Sequence, residues 1–285
     1  MIEKLLICTD LDRTLIPNGP QPESTQARLL FRQLTEQPEV ALAYVSGRDQ
    51  RLIEQAIIDW ALPVPDYVIG DVGTSIYQID KSRQWHPLPQ WQQQISMDWQ
   101  GHTRDELASW LLDIEELTLQ EREKQNQYKL SYYLPLDADI EHLIRRLRSR
   151  LDASGINANI IHSEDEVNAV GLLDILPSGA DKLRAIEALM AYAGFSLHQT
   201  VFCGDSGNDL EVLVSPIPSV LVGNCMPSVL ETARESVRVN GNEDRLYLAK
   251  GDFMGLNGNY SAGILEGVYH FHPEILRWII DTQEV

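Results

Sequence analysis

Basic residues are scarce in this chain. Lysine and arginine number 23 against 42 aspartates and glutamates, which leaves a net charge of −19 over 285 residues. A surface this acidic repels nucleic acid and anionic membranes, so neither is an expected partner. Cysteine is nearly absent: three residues without metal-ligand spacing exclude a disulfide framework and a zinc site. No apolar run reaches the roughly 20 residues a membrane-spanning helix requires. The N-terminal residues enter a strand pattern without a charged-then-apolar leader, so a soluble, cytoplasmic protein is expected. Apolar residues are plentiful, at 44% of a chain long enough for one core and an inserted second one.

Acidic residues gather at two places where an apolar run stops. Asp10-Leu11-Asp12-Arg13-Thr14 follows Leu5-Leu6-Ile7-Cys8, and Gly204-Asp205-Ser206-Gly207-Asn208-Asp209 follows Thr200-Val201-Phe202-Cys203. Either cluster alone reads as a turn, because Asp, Asn and Gly are ordinary turn residues. Two of them, each beyond a buried strand, describe a site. In open α/β sheets ligands bind in the crevice past the carboxyl ends of the strands. Carboxylates converging there repel one another unless a cation joins them. Mg²⁺ suits such hard oxygen ligands and commonly bridges one or two carboxylates to a phosphate.

The rest of the pattern supports that reading. Strand and helix alternate over residues 4–8, 24–37, 40–44, 49–60 and 67–69, which implies a parallel sheet. From about residue 78 to 166 the rhythm breaks: helices over 103–113 and 140–154 and strands over 128–134 and 158–162 suggest an inserted α+β domain. The parallel rhythm is expected to resume at 171–176, followed by a helix from Asp181 that ends at Gly194, strands 200–203 and 219–222, and helices over 227–233, 262–271 and 273–280.

Four ordered motifs, Asp10-Leu11-Asp12-Arg13-Thr14-Leu15, Tyr44-Val45-Ser46-Gly47-Arg48, Asp181-Lys182 and Gly204-Asp205-Ser206-Gly207-Asn208-Asp209, resemble those of the haloacid dehalogenase (HAD) superfamily of phosphatases. Gly73-Thr74-Ser75-Ile76-Tyr77, Lys129-Leu130-Ser131-Tyr132-Tyr133 and Ser261-Ala262-Gly263-Ile264-Leu265-Glu266 are similar to segments of its sucrose-phosphatase-like group. The resemblance implies a doubly wound, Rossmann-like parallel core over residues 1–78 and 170–285, and an α+β cap over 79–169 that selects the substrate. It further implies an Mg²⁺-dependent phosphatase acting on a small-molecule sugar phosphate. Sucrose 6-phosphate is the first expectation; glucosylglycerate and mannosylfructose phosphates are close alternatives.

Each motif residue has an expected role. Asp10 is the expected nucleophile, since a carboxylate attacking phosphorus divides one displacement into two easier ones. Asp12 is the general acid and base. The resemblance implies that Asp10, the main-chain carbonyl of Asp12 and Asp205 hold the metal, with Asp209 orienting its surroundings or capping the next helix, and Asn208 a lesser candidate. Ser46, Gly47 and Arg48 are expected to donate to phosphate at a helix start, and Lys182 to neutralise the transferring group. Lys182 is followed by Leu183 where the family often has glycine. In the cap, alternation puts Lys129, Ser131 and Tyr133 on one strand face, a candidate sugar contact, with His162 and Asn168 ranking lower. Trp85, Trp91, Trp99 and Trp110 are expected in the cap, as sugar platforms or as its core.

Two other functions fit parts of this pattern. A sugar phosphomutase uses the same paired aspartates but needs a bisphosphate activator. A non-catalytic sugar-phosphate-binding module typically lacks a catalytic carboxylate, whereas Asp10, Asp12, Lys182 and Asp205 are all present here. Cys8 and Cys203 each precede a motif aspartate by two residues. Their sulfurs are expected either to be plain buried groups or to share one sheet face, where oxidation would disturb the site.

Overall fold

The computed structural model describes residues 4–165 and 169–280. In chain order the first part comprises β1 (Leu5–Thr9), α1 (Ala27–Thr35), β2 (Val40–Val45), α2 (Gln50–Asp59), β3 (Tyr67–Gly70), β4 (Ser75–Ile79), β5 (Trp85–Pro87) and α3 (Pro89–Ser96). The middle part holds α4 (Arg104–Trp110), β6 (Thr118–Leu119), β7 (Leu130–Leu134), α5 (Ile140–Ala153), β8 (Ala158–Asp165) and β9 (Val170–Pro177). The last part holds α6 (Lys182–Ala193), β10 (Thr200–Gly204), α7 (Leu210–Leu213), β11 (Ser219–Leu221), α8 (Pro227–Asn240), β12 (Leu246–Leu248), α9 (Ser261–Phe271) and α10 (Leu276–Ile280).

Strands β1 and β10 are buried along their whole length, as parallel strands covered on both faces must be. They are neighbours in an eight-stranded sheet of order β12-β11-β10-β1-β2-β3-β4-β5. The pairs from β12 to β3 are parallel, and β4 and β5 add an antiparallel edge. The chain winds outward from β1 in both directions, so the boundary between β1 and β10 is the topological switch point at which such sheets bind ligands. One layer of core joins the sheet to α1 and α9, the other to α6 and α8. Helix α9 lies very close to β11: a Cβ on Gly267 would come within 2.2 Å of Val220, and one on Gly263 within 3.0 Å of Val222.

A second sheet, of order β6-β7-β9-β8, is antiparallel throughout. Leu143, Leu147 and Leu151 of α5 and Leu107 of α4 cover one of its faces, packing on Leu130, Tyr132, Leu134, Leu173 and Ile175. The two stretches of chain that connect the sheets are tied together at Asp98. Its carbonyl accepts from the Asn157 amide at 2.8 Å and its carboxylate from the Gly179 amide at 2.6 Å, while the Ser178 amide donates to the Asn157 carbonyl at 3.0 Å.

Two expectations need correction, and the structure decides between the alternatives of a third. Residues 170–177 do not resume the parallel sheet; they pair antiparallel with β7 and β8 in the smaller one. Gly171-Leu172-Leu173-Asp174-Ile175-Leu176 is apolar enough for either setting, and its one interior charge, Asp174, meets Ser131 across the strands. Residues 79–96 remain with the large sheet, so Trp85 and Trp91 are not cap residues. Trp85 packs edge-on against Tyr77, and the Trp91 indole donates to the Gly73 carbonyl at 3.0 Å. Finally, Cys8 pairs with Phe202 and Cys203 with Thr9, a one-residue offset that sends the two thiols to opposite faces. Both are buried, and desolvation pushes both thiols far up. Asn168 lies outside the described residues.

Candidate active site

The carboxyl ends of β1 and β10 deliver Asp10 and Asp205 to one crevice, because the Asp10 amide continues the ladder by donating to the Cys203 carbonyl at 2.9 Å. Both carboxylates are nearly inaccessible, at 5% and 3% exposure. Lys182 enters from the first turn of α6, placed by Asp181, whose side chain caps the helix by accepting from the Arg184 amide. The Lys182 ammonium is 3% exposed and lies 2.7 Å from Asp209 Oδ1, 3.3 Å from Asp10 Oδ1 and 3.1 Å from Asn208 Oδ1. Burial alone would lower its pKa, but the charges of Asp10 and Asp209 more than reverse that and hold it well above the ordinary lysine value.

Asp209 is therefore not merely a helix cap. It is fully buried; Oδ1 holds Lys182, and Oδ2 accepts from the amides of Asp205 and Ser206 at 3.1 and 3.2 Å. Gly204 makes room for it, since a Cβ there would lie 2.7 Å from the Asp209 carboxylate. Asp205 has further partners: Thr14 Oγ1 donates to Oδ1 at 3.0 Å and Arg13 Nε lies 3.4 Å from Oδ2. Among the described residues, Asp10, Asp205 and Asp209 form a group of three whose ligand oxygens all lie within 4.8 Å of one another. Desolvation, with Asp209 and Asp205 adding to it against Lys182, pushes Asp10 up to about 8. Desolvation and Asp209 push Asp205 up to about 6. Three crowded carboxylates sharing one buried ammonium make a hard-oxygen site short of positive charge, and Mg²⁺ fits that donor set.

Asp12 points elsewhere. Arg48 grips its carboxylate with two parallel bonds, Nε to Oδ2 at 2.7 Å and Nη2 to Oδ1 at 2.6 Å, and Asn18 Nδ2 adds a third at 2.7 Å. Burial favours the neutral acid, but these partners outweigh it and hold Asp12 below the usual carboxylate range. The Arg48 guanidinium is accordingly engaged with Asp12. Ser46 is buried at the end of β2, and its Oγ accepts from the Arg48 amide at 3.2 Å. It does not cap the following helix; Asp49 does, accepting from the Leu52 amide at 2.7 Å. Gly47 is exposed beside it.

The three cap candidates share a strand face but not a surface. Ser131 is fully buried, its hydroxyl donating to Asp174. The Tyr133 hydroxyl donates to Glu121 and accepts from Lys124, each at 2.8 Å. Only Lys129 acts on the core, its charge falling on Asp71. Several neighbours that shape the site went unassigned at the sequence level. Asn224, 2% exposed, donates to the Arg13 carbonyl at 2.6 Å and accepts from the Tyr260 amide at 2.8 Å, and so fixes the loop that carries Asp12. Its place just past β11, on the same sheet edge, is the signal that would have found it.

A doubly wound sheet with paired aspartates at its switch point, a buried lysine and a separate antiparallel insert defines the HAD class of phosphatases. The comparisons narrow this. Residues 3–272 match the model of the family described as sucrose-6F-phosphate phosphohydrolase, and the chain belongs to that family. An HAD-like hydrolase of Nitrosococcus oceani is 53% identical over 284 residues, covering 100% of this chain and 76% of its own length. The mannosylfructose-phosphate phosphatase of Agrobacterium fabrum is 29% identical over 93% of this chain and 96% of its own. The sucrose-phosphatase of Synechocystis, solved with sucrose and phosphate, superposes with a TM-score of 0.69 at 26% identity over 94% of this chain and 98% of that one. Plant relatives are longer: the chain spans 59% of sucrose-phosphatase 1 of Nicotiana tabacum. Among the described residues, no helix is long and apolar enough to cross a membrane.

Proposed function

We propose that this protein is an Mg²⁺-dependent phosphatase that hydrolyses a disaccharide phosphate, sucrose 6-phosphate or a close relative, through a phosphorylated Asp10. The observation that carries this reading is the Lys182 ammonium, buried between Asp10 and Asp209 where a phosphoryl group would sit against Asp10. Asp10, Asp205 and Asp209 would hold the metal, together with the Asp12 carbonyl. Bound there, Mg²⁺ would supply charge that offsets the phosphoryl oxygens and keeps the carboxylates ionised.

Asp10 attacks phosphorus as the ester P–O bond breaks, and Asp12 gives its proton to the departing sugar oxygen. Asp12 must therefore be protonated first. Arg48 opposes that while it holds Asp12, so the incoming phosphate supports the step by drawing the guanidinium toward itself. In the second half, Asp12 takes a proton from a water that attacks the aspartyl phosphate, releasing phosphate and restoring Asp10. Lys182 faces the developing negative charge from a dry position, where an ammonium is most effective. Lys129, whose charge falls on Asp71 at the seam between the sheets, is a candidate contact to substrate.

The test is phosphate release from a panel of sugar and disaccharide phosphates, with Mg²⁺ or with excess EDTA, alongside Asp10→Asn. Turnover of a disaccharide phosphate that vanishes in EDTA and in the variant supports the proposal. A folded wild type inactive across the panel refutes it.

A further inference from the structure

Residues 71–73, between β3 and β4, take a conformation that side chains resist. Asp71 and Val72 have φ of +53° and +60°, and Gly73 follows at +96°. A β-branched valine in the left-handed region is a genuine outlier, and such strain persists only where the surroundings over-determine it. Here they do. The Asp71 amide donates to the Arg48 carbonyl at 2.9 Å and the Val72 amide to the Ser46 carbonyl at 3.3 Å, which ties the turn to the phosphate-binding loop. Gly73 lies so close to α6 that a Cβ would come within 2.4 Å of the Asp181 carbonyl oxygen, one residue before Lys182. The strained turn thus touches the backbones that carry Ser46, Arg48 and Lys182.

Its side chains reach the other way. Asp71 is 5% exposed; its carboxylate accepts from Ser75 Oγ at 3.1 Å and its carbonyl from Thr74 Oγ1 at 3.1 Å, while the charge of Lys129 falls on it from the cap. The Asn126 side-chain amide donates to Thr74 Oγ1 at 2.8 Å. Residues 126–129 form the turn that opens β7: the Asn126 amide donates to the Lys129 carbonyl at 3.2 Å, and the Tyr128 amide to Asn126 Oδ1 at 2.7 Å. The smaller sheet therefore docks on the large one at this point through the Thr74 hydroxyl and the Asn126 amide. Neither group was needed to explain the phosphate chemistry.

We propose that Thr74, which ends the strained turn, is a positioning residue that registers the cap turn 126–129 against the phosphate-binding loop, and so governs turnover of substrates whose sugar the cap must hold. The inference rests on the phosphatase reading above. With the cap in register, the sugar is presented to Asp12 while the phosphate meets Ser46 and Lys182; out of register, only the phosphate is held. A small ester with no sugar makes no such demand.

The test compares kcat and KM for p-nitrophenyl phosphate with those for whichever disaccharide phosphate the wild type turns over. Asn126→Ala is expected to lower kcat/KM on the disaccharide phosphate about tenfold and to leave the small ester within about twofold. Adding Thr74→Val to Asn126→Ala should cost no more on the disaccharide phosphate than Thr74→Val alone, as residues acting through one contact do. Thr74→Ser, which keeps an acceptor for Asn126, should recover most of what Thr74→Val loses. Equal losses on both substrates in a folded Asn126→Ala protein, or losses that multiply in the double variant, overturn the proposal. A wild type inactive on both substrates instead removes the phosphatase reading beneath it.

Discussion

Replacing Lys182 with methionine tests the electrostatic core of the site. The side chain is 3% exposed and methionine nearly matches its volume, so packing is preserved while a buried cation is lost. Asp10 and Asp209 then face each other without it. Their ligand oxygens lie within 4.8 Å, and two unit charges at that separation repel by about 3.5 kcal/mol at an effective dielectric of 20. Breaking a buried pair by removing one partner costs about 3–5 kcal/mol in other proteins, a matching figure. Lys182→Met should therefore lose roughly 3 kcal/mol of stability in metal-free protein at a pH above about 8, where Asp10 is ionised, measured by urea unfolding. The deficit should shrink as pH falls, because Asp10, raised to about 8 even beside its ammonium, can take a proton once Lys182 is gone. It should shrink also when Mg²⁺ is added. Phosphatase turnover should fall about 10²–10³-fold, as expected when a preorganised charge is removed from a dry site. A loss under about 1 kcal/mol that neither pH nor Mg²⁺ alters would refute the reasoning.

Three further outcomes are expected. Gly204→Ala drives a Cβ to 2.7 Å from the Asp209 carboxylate, so turnover should collapse with a stability loss of about 1–3 kcal/mol; unchanged kinetics would show that Asp209 is not needed in place. Gly267→Ala brings a Cβ to 2.2 Å from Val220, away from the crevice, and should lose a similar about 1–3 kcal/mol by thermal unfolding while kcat at low temperature is retained. Metal binding should release protons. Asp10 and Asp205 sit near about 8 and about 6, so Mg²⁺ competes with protons more strongly as pH falls through those values. Calorimetry in buffers of different ionisation enthalpy should show that release between about pH 6 and 8, and identical heats in every buffer would contradict it.

Much of the candidate site was legible because its acidic groups come directly after strands whose apolar runs are unbroken. Leu5 to Cys8 and Val201 to Cys203 could only be buried, and the aspartates just beyond them had to lie at a sheet edge. The N-cap at Asp181 and the glycine that ends α6 are equally local signals. Non-local choices were less readable. Strand β9 carries a run that suits a parallel core, and only its partners, Ser131 above all, assign it to the antiparallel sheet. Trp91 reads as a cap residue from its place in the chain, whereas its surroundings are set by the strained turn at Gly73, which no periodicity reveals. Arg48 reads as a phosphate ligand from its motif, whereas its bidentate bond to Asp12 depends on two loops 36 residues apart.

The knot at Asp98 gives the two sheets a mechanical character. Both stretches that connect them are fastened to one carboxylate and to each other within a few residues. A body held by two ropes at separate corners can slide or shear; one held by two ropes lashed together can only turn. Rotation about the Asp98 lashing would swing the turn at Asn126 on an arc toward or away from Thr74, so that a small angle at the pivot becomes a change of register at the phosphate loop.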